Sequence, residues 1–234
     1  MIPMNRSFKE RLSRLPKLGE HELGRPHFKV QNPIVQGMGE AIIQPSYDYY
    51  RVVQGNAVTR QLMFTIPQGG SYTAAGGAAF NKTAYHTDLT QAGVLAAPNK
   101  LLVRALAGWW NNSIFPADAT AFADNAMVFF QVNQKPYLSI NFGKLPAGGG
   151  VFVTGSLTTV NGTNNGYPDA ANMYLITEGE ILGVQIEQQQ NFGVDLNPTL
   201  TETGVGFTAT TTANGGKDVI VKMYLEGVLL RAVQ

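Results

Sequence analysis

Val219-Ile220-Val221-Lys222-Met223-Tyr224-Leu225-Glu226 is the stretch that decides the fold. Val219, Val221, Met223 and Leu225 alternate with Asp218, Lys222 and Glu226. Successive side chains of a strand point to opposite faces, so a period of two marks a strand with one buried face. The same alternation recurs upstream. Leu182, Val184 and Ile186 alternate with Gly183, Gln185 and Glu187. Phe192, Val194 and Leu196 alternate with Asn191, Gly193, Asp195 and Asn197, and Leu138, Ile140 and Phe142 face away from Ser139 and Asn141. Further strand-like runs cover 27–35, 47–54, 60–66, 101–109, 126–133, 151–160, 173–177, 205–212 and 228–233.

Turn residues punctuate these runs: Gln68-Gly69-Gly70, Gly76-Gly77, Ala147-Gly148-Gly149-Gly150, Asn161 to Gly166 and Asn214-Gly215-Gly216. Val132-Asn133-Gln134-Lys135-Pro136 joins two runs closely enough for a hairpin. Beyond residue 25 almost no helical period is visible. The pattern predicts an all-β, antiparallel sandwich or barrel. About eight principal strands after residue 59 fit a single jelly roll. A compact double jelly roll, the alternative, needs about sixteen. No fixed repeat supports a propeller or solenoid.

The N-terminus follows a different rule. Ser7 and Glu10 have capping-box spacing, and Phe8, Leu12 and Leu15 recur at i, i+4 and i+7 until Pro16. This predicts a short amphipathic helix. Residues 1–30 carry seven basic side chains against three acidic ones, net +4, whereas the remaining 204 carry ten against thirteen, net −3. So short a helix needs a partner: its own body, another subunit, a membrane surface or nucleic acid. The chain therefore divides into a basic arm, 1–25, and a β domain, 26–234, with long loops at 67–100 and 144–172.

Composition excludes several kinds of chemistry. The chain has no cysteine, so disulfide frameworks, thiolate metal sites and cysteine nucleophiles are absent. Its three histidines, His21, His27 and His86, leave little scope for a multi-histidine metal centre. The most apolar window, 101–110, contains Arg104 and is half the length of a spanning helix. The opening residues lack a secretory pattern. No phosphate-binding loop, dinucleotide fingerprint, nucleophile elbow or His-Glu-x-x-His motif occurs.

The remaining candidates read better as structure. His86 near Asp88 could pair a base with its orienter, but a hydrogen-bonding role is the simpler expectation. Glu178, Glu180, Glu187, Asp195 and Glu202 are scattered, with nothing singling out a catalytic pair. The Asn/Asp cluster at 161–172 lacks calcium-loop spacing. Asn-x-Ser/Thr triplets beginning at Asn81, Asn111 and Asn161 have no secretory signal to give them meaning. Trp109 and Trp110 could form a stacking platform, though a strand end favours packing in a core or an interface. No catalytic residue, cofactor or metal is expected. Phe8, Leu12, Trp109 and Trp110 are the interface candidates. Charged residues are only 14% of the chain, and interface cores are depleted in charge, so the sequence reads as one built for contact with neighbours.

Two groups of segments carry a resemblance. Arg60-Gln61-Leu62-Met63-Phe64-Thr65-Ile66-Pro67 precedes a Gly-rich loop, Lys82-Thr83, Thr87 to Leu95 and Pro98 to Arg104. With the ending Val219 to Gln234, these resemble the first and closing barrel strands of jelly-roll major capsid proteins of icosahedral bacterial viruses. The resemblance implies a non-enzymatic coat subunit that assembles in the host cytoplasm and resides in the virion. It would form trimers or pentamers, with other virion proteins as partners. Arg6, Lys9, Arg11, Arg14 and Lys17 would face genome phosphates or an internal membrane without reading sequence. The alternative is a receptor- or carbohydrate-binding β-sandwich of a phage fibre or lectin-like protein. An enzyme on a β-sandwich is the third reading.

Overall fold

A computed structural model describes residues 39–111, 114–146, 152–153, 163–164, 174–178, 181–198, 208–209 and 218–232. The basic arm, its predicted helix, Phe8 and Leu12 lie outside them, as do the predicted strand 27–35 and most of 147–173.

The chain enters through β1 (Gly39–Ile43) and β2 (Ser46–Val52), then β3 (Gln61–Met63). A short hairpin follows, β4 (Ser71–Thr73) and β5 (Ala79–Asn81), before the long β6 (Lys100–Trp110). Helix α1 (Pro116–Asn125) leads to the hairpin β7 (Met127–Val132) and β8 (Lys135–Asn141). Two-residue strands come next: β9 (Phe152–Val153), β10 (Thr163–Asn164), β11 (Tyr174–Leu175), β12 (Thr177–Glu178) and β13 (Ile181–Leu182). The chain ends with β14 (Val184–Ile186), β15 (Phe192–Asn197) and β16 (Val219–Ala232).

The all-β expectation holds. One sheet runs β1/β2–β16–β6–β11/β14 and the other β3–β15–β7–β8, with every strand pair antiparallel. Val219, Val221, Met223 and Leu225 of β16 are completely buried, while the residues between them lie on the opposite face. They join one core with Tyr50, Leu106 and Trp110 of their own sheet and with Met63, Val128, Phe130, Val194 and Leu196 of the other. Burying a large aliphatic side chain contributes about 1.5–3 kcal/mol, so this shared apolar layer holds the two sheets together.

Two runs read as separate strands, 219–225 and 228–233, form one fourteen-residue strand. A bulge at Glu226/Gly227 shifts its register against β6. A Cβ on Gly227 would sit 1.9 Å from the Leu102 carbonyl oxygen, so the bulge demands glycine. The run at 60–66 yields only β3, because Phe64 turns to φ 65°. The run at 182–186 is broken at Gly183, where φ is +116°. The predicted 132–136 hairpin is present, with Asn133 and Gln134 as its two loop residues.

Helix α1 corrects the expectation that helix would be nearly absent after residue 25. Pro116 stands in its first turn, where no N–H is required, with Asp118 near the positive end of the helix dipole. Alanines at 117, 119, 121 and 123 fall on every second position and mask the helical period in the sequence. Ala119 and Phe122 of the helix and Ala126 at its C-cap are fully buried. Phe122 meets Phe142 edge-on at 4.9 Å.

Candidate functional site

The segment between β3 and Asp88 turns back over β2 as a strap. An edge strand leaves every second N–H and C=O unpaired, which invites pairing with another chain. Here the strap closes that edge. Asp88 accepts hydrogen bonds from the Tyr47 N–H and the Ser46 hydroxyl, both at 2.9 Å. The Tyr47 carbonyl accepts from the Thr87 hydroxyl. The Tyr72 hydroxyl accepts from the Arg51 N–H at 3.0 Å, and Val53 N–H donates to the Ala75 carbonyl.

Lys82 anchors this strap from inside. Its Nζ lies 2.5 Å from Asp48 Oδ1, and the side chains are 1% and 0% exposed. The other Asp48 oxygen accepts the Phe64 N–H at 2.6 Å. Burial pushes the Asp48 carboxyl upward, against the pull of the Lys82 cation and the N–H donors of Phe64 and Tyr49. The Tyr72 ring stands 5.1 Å from Nζ. Each buried ion loses its water, and only a paired, hydrogen-bonded geometry repays that loss. The strap is thereby tied to β2 by a bond that water does not reach.

Over the outer face of β2 and β16 the strap builds an aromatic cluster. Tyr49, Tyr72 and Phe80 pack mutually edge-on at 5.3–6.3 Å. His86 lies 4.8 Å from Tyr49, 4.9 Å from Phe80 and 5.3 Å from Tyr85. Burial raises the Tyr49 hydroxyl to about 12. It lowers the His86 imidazole, helped by Lys222 of β16, Lys82 of the strap and Arg51 of β2, with Asp48 opposing. Lys222 Nζ sits 3.7 Å over the Tyr85 ring and donates to the Tyr85 carbonyl oxygen. The Tyr47 hydroxyl donates to the Ala84 carbonyl.

The sequence candidates are dispersed rather than assembled. His86 has the expected structural role: its Nδ1 accepts the Thr83 N–H at 3.1 Å. Asp88 is instead committed to Ser46 and Tyr47. Asp195 receives a bidentate pair of bonds from Arg60, and Glu187 pairs with Lys100 at 2.7 Å. Glu180 and Glu202 lie outside the described residues, as do Gly148–Gly150 and the first two residues of the triplet at Asn161. Trp110 corrects its assignment as an interface candidate. It is 0% exposed and stacks on Phe142 at 5.4 Å, because its position on β6 points inward. Trp109 points outward opposite Lys222 and is half-buried, so only one of the two reaches the surface.

Asp48, Lys82 and Tyr72 escaped the sequence reading. Lys82 stood inside a quoted motif, but nothing there signals a buried lysine. The one legible sign is Asp48 itself, a carboxylate on the inward phase of an alternating apolar strand.

Among the described residues no group of three or more His, Asp or Glu is arranged to hold a metal ion. No helix among them is long and apolar enough to cross a membrane. Two open depressions mark the surface, of about 350 and 430 Å³. No protein-family model and no curated protein matches the chain.

Proposed function

We propose that this chain is a structural capsid subunit built as a single jelly roll. The observation that carries the reading is strand order. Counting β1/β2 as the first principal strand and β16 as the eighth, the sheets run 1-8-3-6 and 2-7-4-5. That interleaving supports a jelly roll, whose strands alternate between sheets in the same way and which recurs in viral capsids and lectins. The sequence resemblance to bacterial-virus coat proteins selects the capsid from that pair, since the fold by itself does not specify a function. A single core shared by one pair of sheets favours one barrel over two.

In this reading the barrel supplies lateral contacts to further copies in trimers or pentamers, and to other virion proteins. Arg6, Lys9, Arg11, Arg14 and Lys17 face genome phosphate or an internal membrane on the inner side of the shell. The closed strap edge suits such a subunit. At the concentrations of assembly an open β edge would pair indiscriminately, whereas loop and side-wall contacts give a defined lattice. The fibre or lectin-like alternative drew on an exposed tryptophan pair, and the burial of Trp110 removes that support.

Analytical ultracentrifugation with negative-stain microscopy tests the proposal. Closed rings or shells of uniform size are expected. A strictly monomeric species at high concentration, across a range of salt, would defeat it.

A further inference from the structure

Four non-glycine residues among those described have positive φ: Phe64 (65°), Asn133 (48°), Gln134 (66°) and Gln189 (59°). L-residues other than Asn and Asp rarely adopt that region, and such strain concentrates at functional sites. Two of the four belong to the 350 Å³ depression at the tip of the β7–β8 hairpin, and the other two neighbour it in sequence. Asn133 and Gln134 line it, Phe64 precedes its Thr65, and Gln189 stands two residues before its Asn191. A two-residue hairpin loop with both φ values positive normally takes glycine second. This chain places Gln134 there instead, and a side chain retained against its backbone preference implies a use for that side chain.

The lining has one chemical character. Gln131, Asn133, Gln134 and Asn191 present carboxamides, joined by the Thr65 hydroxyl, while Leu62 and Phe192 supply the apolar wall. No charged side chain lines it. The nearest charges are engaged elsewhere: Arg60 holds Asp195, and Lys135 lies 4.4 Å over the Tyr137 ring. Gly193 deepens the outward row between Gln131 and Leu62, where a Cβ would come within 3.2 Å of Leu62 Cδ1.

We infer that this depression binds a neutral saccharide. Carboxamides both donate and accept, as sugar hydroxyls do, so each hydroxyl can be met in either sense. Leu62, 43% exposed, offers apolar surface to the C–H face of a pyranose. The volume lies at the small end of ligand sites, the size for one or two sugar rings. A phosphate or carboxylate ligand would find no cation. A nucleobase would find no open aromatic face, since Phe192 is only 5% exposed.

The full-length protein would be applied to an array of neutral and sialylated glycans. Hits would then be titrated calorimetrically, with glucose, galactose, N-acetylglucosamine and maltose as soluble probes. Saturable binding to a neutral glycan is expected. Gln134→Gly should weaken it by about tenfold, the loss of one well-made hydrogen bond, and yet melt at a higher temperature than the parent by releasing the turn. Asn191→Ala should weaken binding with little change in melting. The inference is overturned if no neutral glycan binds, if only charged glycans bind, or if both variants bind like the parent.

Discussion

Lys82 reaches 34 positions back along the chain to place its ammonium 2.5 Å from the Asp48 carboxylate, with both side chains sealed from solvent. This pair joins the strap to β2 of the larger sheet. It converts what would be a surface loop into part of the wall, and it organises the edge bonds of Asp88, Thr87 and Tyr72 around it.

Removing one partner strands a buried charge. Asp48→Ala or Lys82→Met should each cost about 3–5 kcal/mol. For a domain of this size that lowers the melting temperature by on the order of 10 °C. The double variant Asp48→Leu/Lys82→Met should recover a large part of the loss, because apolar pairs of similar volume replace buried ion pairs well. Calorimetry of the three proteins measures this, and a double variant no better than the singles would contradict it.

Acid should loosen the strap through His86. Its folded pKa lies below the ordinary 6.5, so between that folded value and 6.5 the unfolded chain holds more protons than the folded one. Its contribution to stability is complete above pH 6.5 and declines as pH falls through that window. Asp48, Asp88 and Glu226 are shifted upward by burial and act in the opposite sense at lower pH. The comparison must therefore be made against His86→Asn, which keeps an acceptor near Nδ1 but does not titrate. Protection factors of the amides of residues 71–81, corrected for the intrinsic slowing of exchange in acid, should fall from pH 7.5 to 5.5 more in the parent than in the variant.

The two tryptophans should separate cleanly. Trp110→Ala empties a fully buried site against Phe142 and should cost about 3–5 kcal/mol. Trp109→Ala should leave melting nearly intact and weaken association between copies. Thermal melts paired with sedimentation distinguish these outcomes, and equal destabilisation by both would refute the assignment.

Gly227→Ala should be among the most damaging single-methyl additions in the protein. The new Cβ would overlap the Leu102 carbonyl, and backbone cannot rotate aside as a side chain can. A loss at or above the top of the ~1–3 kcal/mol range for overpacking is expected from denaturant titration. Gly69→Ala is a useful contrast: it meets open space but carries a positive φ of 80°, so only its backbone preference opposes the change.

Deleting residues 1–24 should leave the melting transition in place, because few strand signals lie in that stretch of sequence. Assembly or nucleic-acid retention should fall, with the parent's nucleic-acid binding weakening steeply as salt rises. Loss of the cooperative melt on deletion would show that the arm belongs to the core.

The sequence by itself determined the β class and most of the strands that wall the core. A period of two is imposed by strand geometry and needs no knowledge of what lies opposite, so 192–197 and 219–225 could be read directly. It also determined the hairpin at 133–134 and the separation of a cationic arm from a mildly acidic body. Tertiary structure alone decided which tryptophan faces inward, because the phase of β6 is set by its register against β16. It alone decided that Pro116–Asn125 is helical, since small alanines give little periodic contrast until Phe122 has a core to enter. And it alone brought Lys82 to Asp48 and gathered four carboxamides around one depression, because contacts between distant segments depend on how the chain returns through space, which no local pattern records.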